Sequence, residues 1–172
     1  MIKKFLIAFL VLFLVLAVIG FFLPKDYRVE RSKVISADAA AILALTSDLP
    51  TWQSWSAWNL EADPDCKWTF PDATTMFWDG PINSEGKMWV TSATEEGMTW
   101  DLAFEDGAYL AKGGLSFVPA SGGGTTVTWY TEGDIDAAAP LAGWFSVMMD
   151  SMVGSYFEAN LDGVEDELAK AK

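Results

Sequence analysis

No histidine occurs anywhere in these 172 residues, and there is one cysteine, Cys66. Histidine is the commonest general base near neutral pH and the commonest zinc ligand. Its absence excludes Ser-His-Asp and Cys-His catalysis, histidine-containing zinc sites and the His-Glu-x-x-His protease motif. A lone thiol excludes an intrachain disulfide and a thiolate zinc cage, and it leaves the redox compartment open. Basic residues are also scarce, eleven against twenty-four acidic ones, for a net charge of −13. From residue 34 onward five basic residues face twenty-two acidic ones, so the body carries −17 and repels nucleic acid and anionic headgroups. We read this acidity as a solubility feature of the surface, not as a binding site. No internal repeat, low-complexity tract or second linker is visible.

Apolar residues, by contrast, make up 51% of the chain and aromatics 14%, ample for one sizeable core. Phe5 to Leu23 is an unbroken run of 19 uncharged residues. As a helix it reaches ~28 Å, enough to span a bilayer. Lys3 and Lys4 before it also suit a cleaved signal peptide, but the run is longer than a usual h-region and no Ala-x-Ala follows. We read residues 1–4 as a short tail, 5–23 as an uncleaved transmembrane anchor and 24–172 as one folded domain. Lys25, Arg28, Arg31 and Lys33 after the span argue by number for an internal body. They also alternate along what reads as the first strand, and a four-residue tail headed by an amine is the usual form of a signal anchor. That second consideration places the body outside, periplasmic or extracellular.

Tyr27 to Ile35 reads as a strand, and Asp38 then caps a helical pattern through Ile42, Leu43 and Leu45. Trp52, Trp55 and Trp58 follow at a spacing of three on a short second helix. Three large rings on one face must fill a core or line a pocket. From Lys67 the period becomes two, giving strands over Trp68 to Phe77, Lys87 to Thr94, Met98 to Phe104, Leu110 to Val118 and Thr125 to Thr131. Turns at Asp79-Gly80-Pro81, Glu96-Gly97, Asp106-Gly107 and Gly122-Gly123-Gly124 make the sheet antiparallel. After Pro140 a 3.6 period returns. Leu141, Trp144, Phe145, Met148, Met149, Met152 and Tyr156, then Leu161, Val164 and Leu168, form the stripe of a long C-terminal helix. The fold class is therefore α+β, a curved antiparallel sheet wrapped around the last helix.

Strand alternation turns Met98, Trp100, Leu102 and Phe104 inward with Val127, Trp129 and Thr131, and leaves the carboxylates outside. Thr131, Ser92 and Tyr156 are the polar groups left on the lining. A phenol of ordinary pKa near ~10 is a poor base at neutral pH, so no acid–base pair and no catalytic residue is assigned. Gly122-Gly123-Gly124 lacks the Lys-Ser/Thr and the helix of a phosphate cradle. Asp63-Pro64-Asp65 and Asp134-Ile135-Asp136 lack the spaced ligands of a calcium loop and read as solvated turns. No metal or cofactor is expected.

The Arg28 to Ile35 strand, the Asp48 to Ser56 segment, the Gly124 to Trp129 strand and the Met148 to Phe157 helix together resemble the START-like (SRPBCC) superfamily. Within it they are most similar to membrane-anchored proteins of the polyketide cyclase/dehydrase group. The resemblance covers roughly residues 27 to 170. It implies a helix-grip fold with an apolar cavity between sheet and final helix, lined here by Trp100, Leu102, Phe117, Trp129, Thr131, Met148, Met152 and Tyr156. It implies also that at least one of Trp52, Trp55 and Trp58 packs under the sheet as core, with room for another at the pocket mouth. The function read from this is a membrane-tethered binding or carrier module for a small hydrophobic molecule, lipid or polyketide-like, held between sheet and final helix. The alternatives are a non-catalytic envelope protein whose cavity is self-filled and a cyclase or dehydratase.

Overall fold

The computed structural model describes residues 2–82, 84–135 and 141–170. Helix α1 runs Ile2–Phe22, three residues longer at its start than the apolar run, because Lys3 and Lys4 continue the turn. It is long and apolar enough to cross a membrane, and its side chains stand almost wholly free of the rest of the protein. Strand β1 (Asp26–Ile35) follows, then α2 (Ala39–Thr46), a 3₁₀ turn (Leu49–Thr51) and α3 (Trp52–Trp55). Strands β2 (Lys67–Asp72), β3 (Thr75–Gly80), β4 (Ser84–Thr94), β5 (Gly97–Phe104), β6 (Tyr109–Pro119) and β7 (Thr125–Asp134) precede α4 (Ala142–Lys170).

The seven strands form one antiparallel sheet in the order β1-β7-β6-β5-β4-β3-β2. The segment Trp68 to Phe77, expected as one strand, is a hairpin. Its chain reverses at Ala73-Thr74, where the Asp72 carboxylate accepts from both the amide and the hydroxyl of Thr74, at 2.8 and 2.9 Å. An aspartate bonding the backbone two residues on closes a turn without glycine, so no glycine marks this turn in the sequence. Asp79-Gly80 is the end of β3 rather than the turn itself. Asp136 and Pro140, invoked for an acidic turn and the helix start, lie outside the described residues.

Asp38 caps α2 as expected, its carboxylate accepting from the Ala41 amide at 2.8 Å. The tryptophan segment is fastened at three points. Trp52 Nε1 donates to the Thr46 carbonyl at 2.8 Å, which satisfies the one polar group of a buried indole. Trp55 Nε1 reaches Thr51 Oγ1 at 3.4 Å, and the Ala57 amide donates to Asn160 Oδ1 of α4 at 2.8 Å.

Candidate functional site

Pairing register fixes which side chains share the inner face of the sheet. One row carries Val29, Thr131, Gly113, Trp100 and Val90 from β1, β7, β6, β5 and β4; the next carries Arg31, Trp129, Leu115 and Met98. Glycine makes room for the largest rings. A Cβ on Gly113 would collide with the indole of Trp100, and one on Gly86 with that of Trp78.

The rings meet. Trp52 lies 5.2 Å from Trp129 and 5.7 Å from Trp100, Trp100 lies 5.6 Å from Trp129, and Trp129 stacks on Phe157 of α4 at 5.9 Å. A second group joins Trp58 to Trp78 at 4.4 Å and to Trp68 at 5.3 Å, with Trp78 5.5 Å from Phe104. Edge-to-face pairs at these separations are each worth ~0.5–1.5 kcal/mol beyond the area they bury. Trp52 and Trp55 are thus core, while Trp58 is half-buried at the β2–β3 side of the sheet.

Of the expected lining, Trp100, Leu102, Phe117, Trp129 and Thr131 are buried. Thr131 spends its hydroxyl locally, donating to the Lys112 carbonyl at 3.0 Å and bonding Tyr27. Met148, Met152 and Tyr156 are not brought to this group, being 51, 47 and 51% exposed. The face of α4 turned to the sheet is instead Gly154, Phe157, Asn160, Leu161 and Val164. Ser92 is also exposed, because a bulge between Val90 and Ser92 shifts the β4 register.

Charge on β1 sets the rotation of α4. Arg31 and Lys33 share the inner face with Val29 and Ile35, so α4 must offer them carboxylates. Arg31 pairs with Asp150 and Glu158, both at 2.8 Å, and Lys33 with Asp162 and Glu165, both at 2.6 Å. Gly154 admits the guanidinium, since a Cβ there would strike it. The bond from Asp150, then that from Glu158, holds Arg31 more firmly protonated than usual. Asp162 and then Glu165 raise Lys33, and Arg31 lowers Asp150. Burial raises the Tyr27 phenol and the Cys66 thiol, so neither is an activated base or nucleophile.

Asp63, expected in a solvated turn, is wholly buried, and its Oδ2 accepts from the Ile82 amide at 3.2 Å. The described residues hold no group of three or more potential metal ligands. Two open grooves stand out among the described residues. One, of about 590 Å³, lies on the outer face of the sheet, where Arg28, Glu132, Lys112, Asp101 and Trp89 stand in register. The other, of about 650 Å³, lies between the start of α2 and the β6–β7 turn, and reaches Phe117. No residue of α4 lines either.

A sequence model for the family described as "Polyketide cyclase / dehydrase and lipid transport" matches residues 26–169. The chain belongs to this family. The description joins cyclase chemistry with the handling of apolar ligands. Solved structures share the fold. A protein of unknown function, SA2116, from Staphylococcus aureus is 12% identical with a TM-score of 0.63, the alignment covering 86% of this chain and 98% of that one. A START superfamily protein from Mycobacterium smegmatis is 16% identical with a TM-score of 0.58, covering 85% and 99%. The di-domain ARO/CYC StfQ of the steffimycin biosynthetic pathway is 13% identical with a TM-score of 0.57, covering 85% of this chain and 53% of that one. No curated protein matches the sequence. The helix-grip architecture expected from the sequence is therefore that of the family.

Proposed function

We propose that this member of the family is a membrane-tethered, non-catalytic module whose grip is closed on its own aromatic side chains and which works through its surfaces. The observation that carries the reading is the continuous contact of Trp52, Trp100, Trp129 and Phe157 where a ligand would sit. A cyclase or dehydratase needs a group to move a proton and a donor for the developing oxyanion. Among the described inward titratable groups, Tyr27 and Cys66 are raised by burial, Arg31 and Lys33 are each bound by two carboxylates, and Asp63 accepts from the Ile82 amide. Helix α1 is the uncleaved anchor, and the body faces outward.

A carrier for a small hydrophobic molecule, held between the sheet and α4, is the second reading. Two observations favour it: the family's description includes lipid transport, and the β1 side of α4 is held by ion pairs whose carboxylates lie toward the surface. Such pairs are worth about 0–1 kcal/mol each, so lifting that side of the helix costs little. Native mass spectrometry of the full chain from its own host separates the two readings. The self-filled module flies at its bare mass. A stoichiometric apolar adduct of constant mass would transfer the assignment to the carrier.

A further inference from the structure

The start of α4 is packed not on the sheet but on α1. Trp144 Nε1 donates to the Leu16 carbonyl at 2.9 Å, and a Cβ on Gly143 would collide with the Gly20 carbonyl and the side chain of Leu23. Ser146 Oγ donates to the Lys25 carbonyl at 2.6 Å and fixes the next turn. Leu16 is seven residues inside the apolar run, so the contact lies ~10 Å from the end of the span.

On the side of α4 turned away from sheet and ion pairs, Phe145, Met148, Met152 and Tyr156 follow one another at helical spacing, all exposed. The stripe is ~16 Å long. Beyond Tyr156 the same side carries Ala159, Asp166 and Lys170, so the apolar stripe ends there. The sheet has a matching asymmetry. The turn before β4 and the start of β6 lie at the same end as Asp26, and expose Ile82, Tyr109 and Leu110. The opposite turns, at 73–74, 95–96 and 120–124, carry no large apolar side chain.

We propose that the first four turns of α4 are seated in the acyl and interfacial layer of the bilayer that takes α1, so that the body is docked on lipid and not hung from a flexible tether. The proposal rests on the reading of α1 as a span. Continuity with α1 selects lipid over a second copy or a soluble partner. The charge of the body, −17 from residue 34 onward, makes the attachment apolar, so it needs no anionic lipid.

The test uses the full chain in phosphatidylcholine vesicles. An environment-sensitive fluorophore is placed by Leu12→Cys, Met148→Cys, Met152→Cys or Asp166→Cys, with the unsubstituted protein as the blank for buried Cys66. We expect acyl-chain nitroxide to quench the labels at 12, 148 and 152 several-fold more than aqueous iodide does, and the label at 166 to show the reverse. Lipid quenching at 12 with iodide quenching at 148 and 152 overturns the seat while leaving the anchor intact. Iodide quenching at 12 as well removes the anchor, and the seat with it.

Discussion

The Arg31 guanidinium forks onto the Asp150 carboxylate, Nη1 to Oδ1 at 2.8 Å and Nη2 to Oδ2 at 3.0 Å, directly beneath the missing side chain of Gly154. The cation needs the carboxylate, and the glycine lets the helix come close enough to supply it. Gly154→Val therefore should destabilise the body by ~1–3 kcal/mol through overpacking, despite the better helix propensity of valine. Denaturant unfolding in detergent measures this. In an Arg31→Ala background most of the cost should vanish, and a cost that persists unchanged would mean that Gly154 answers to something other than Arg31.

The same seam sets a pH dependence. Asp150 is held below its ordinary pKa by Arg31, so its folded-state value is depressed. A depressed carboxylate contributes stability above the unfolded pKa and loses it as pH falls through the folded one. Lys33 is raised by Asp162 and Glu165, so its contribution is lost only as pH climbs through a folded value above 10.5. Stability should be flat from roughly pH 5 to 9 and fall in acid. Asp150→Asn should flatten part of the acid limb in thermal scans, and an unchanged limb would clear this pair of responsibility.

Trp100 and Gly113 form a matched pair across β5 and β6. Trp100→Ala should cost ~3–5 kcal/mol by leaving a cavity among Trp52, Trp129 and Gly113. Gly113→Ala should also destabilise, because its methyl would meet the indole. The informative variant is the double one, Trp100→Leu with Gly113→Ala, which restores part of the lost volume. Near-ultraviolet circular dichroism reads the ring cluster directly, and recovery of stability without that signal is the expected outcome.

Much of this architecture was legible in the sequence, since strand alternation and helical period report burial directly. Inward Trp100, Leu102, Trp129 and Thr131 follow from period two and the turn glycines. The hairpin at Ala73-Thr74 was hidden because its closure is an aspartate bond and not a glycine. The α4 stripe was misassigned for a deeper reason: periodicity finds an apolar face without saying which neighbour covers it. Arg31 and Lys33, at inward positions of β1, were the available signal. Two cations facing the helix demand carboxylates on the side of it next to β1, and Asp150, Glu158, Asp162 and Glu165 meet that demand, turning Met148, Met152 and Tyr156 away.

Asn160 couples the tryptophan segment to α4. Its Oδ1 accepts from the Ala57 amide at 2.8 Å, it is nearly fully buried, and Gly163 one turn on leaves room for the Trp55 carbonyl. Asn160→Leu keeps the volume and removes the acceptor, stranding a part-buried amide at a cost of ~1–3 kcal/mol. Hydrogen exchange at Ala57 should accelerate while the β5 and β6 amides keep their protection, because the loss is local to the link between α3 and α4. Gly163→Ala presses on the same segment through the Trp55 carbonyl, so the two substitutions should be non-additive. Additive costs would mean that the segment is held by its rings alone, with Trp52 and Trp129 carrying the attachment and the Asn160 bond a by-product of their packing.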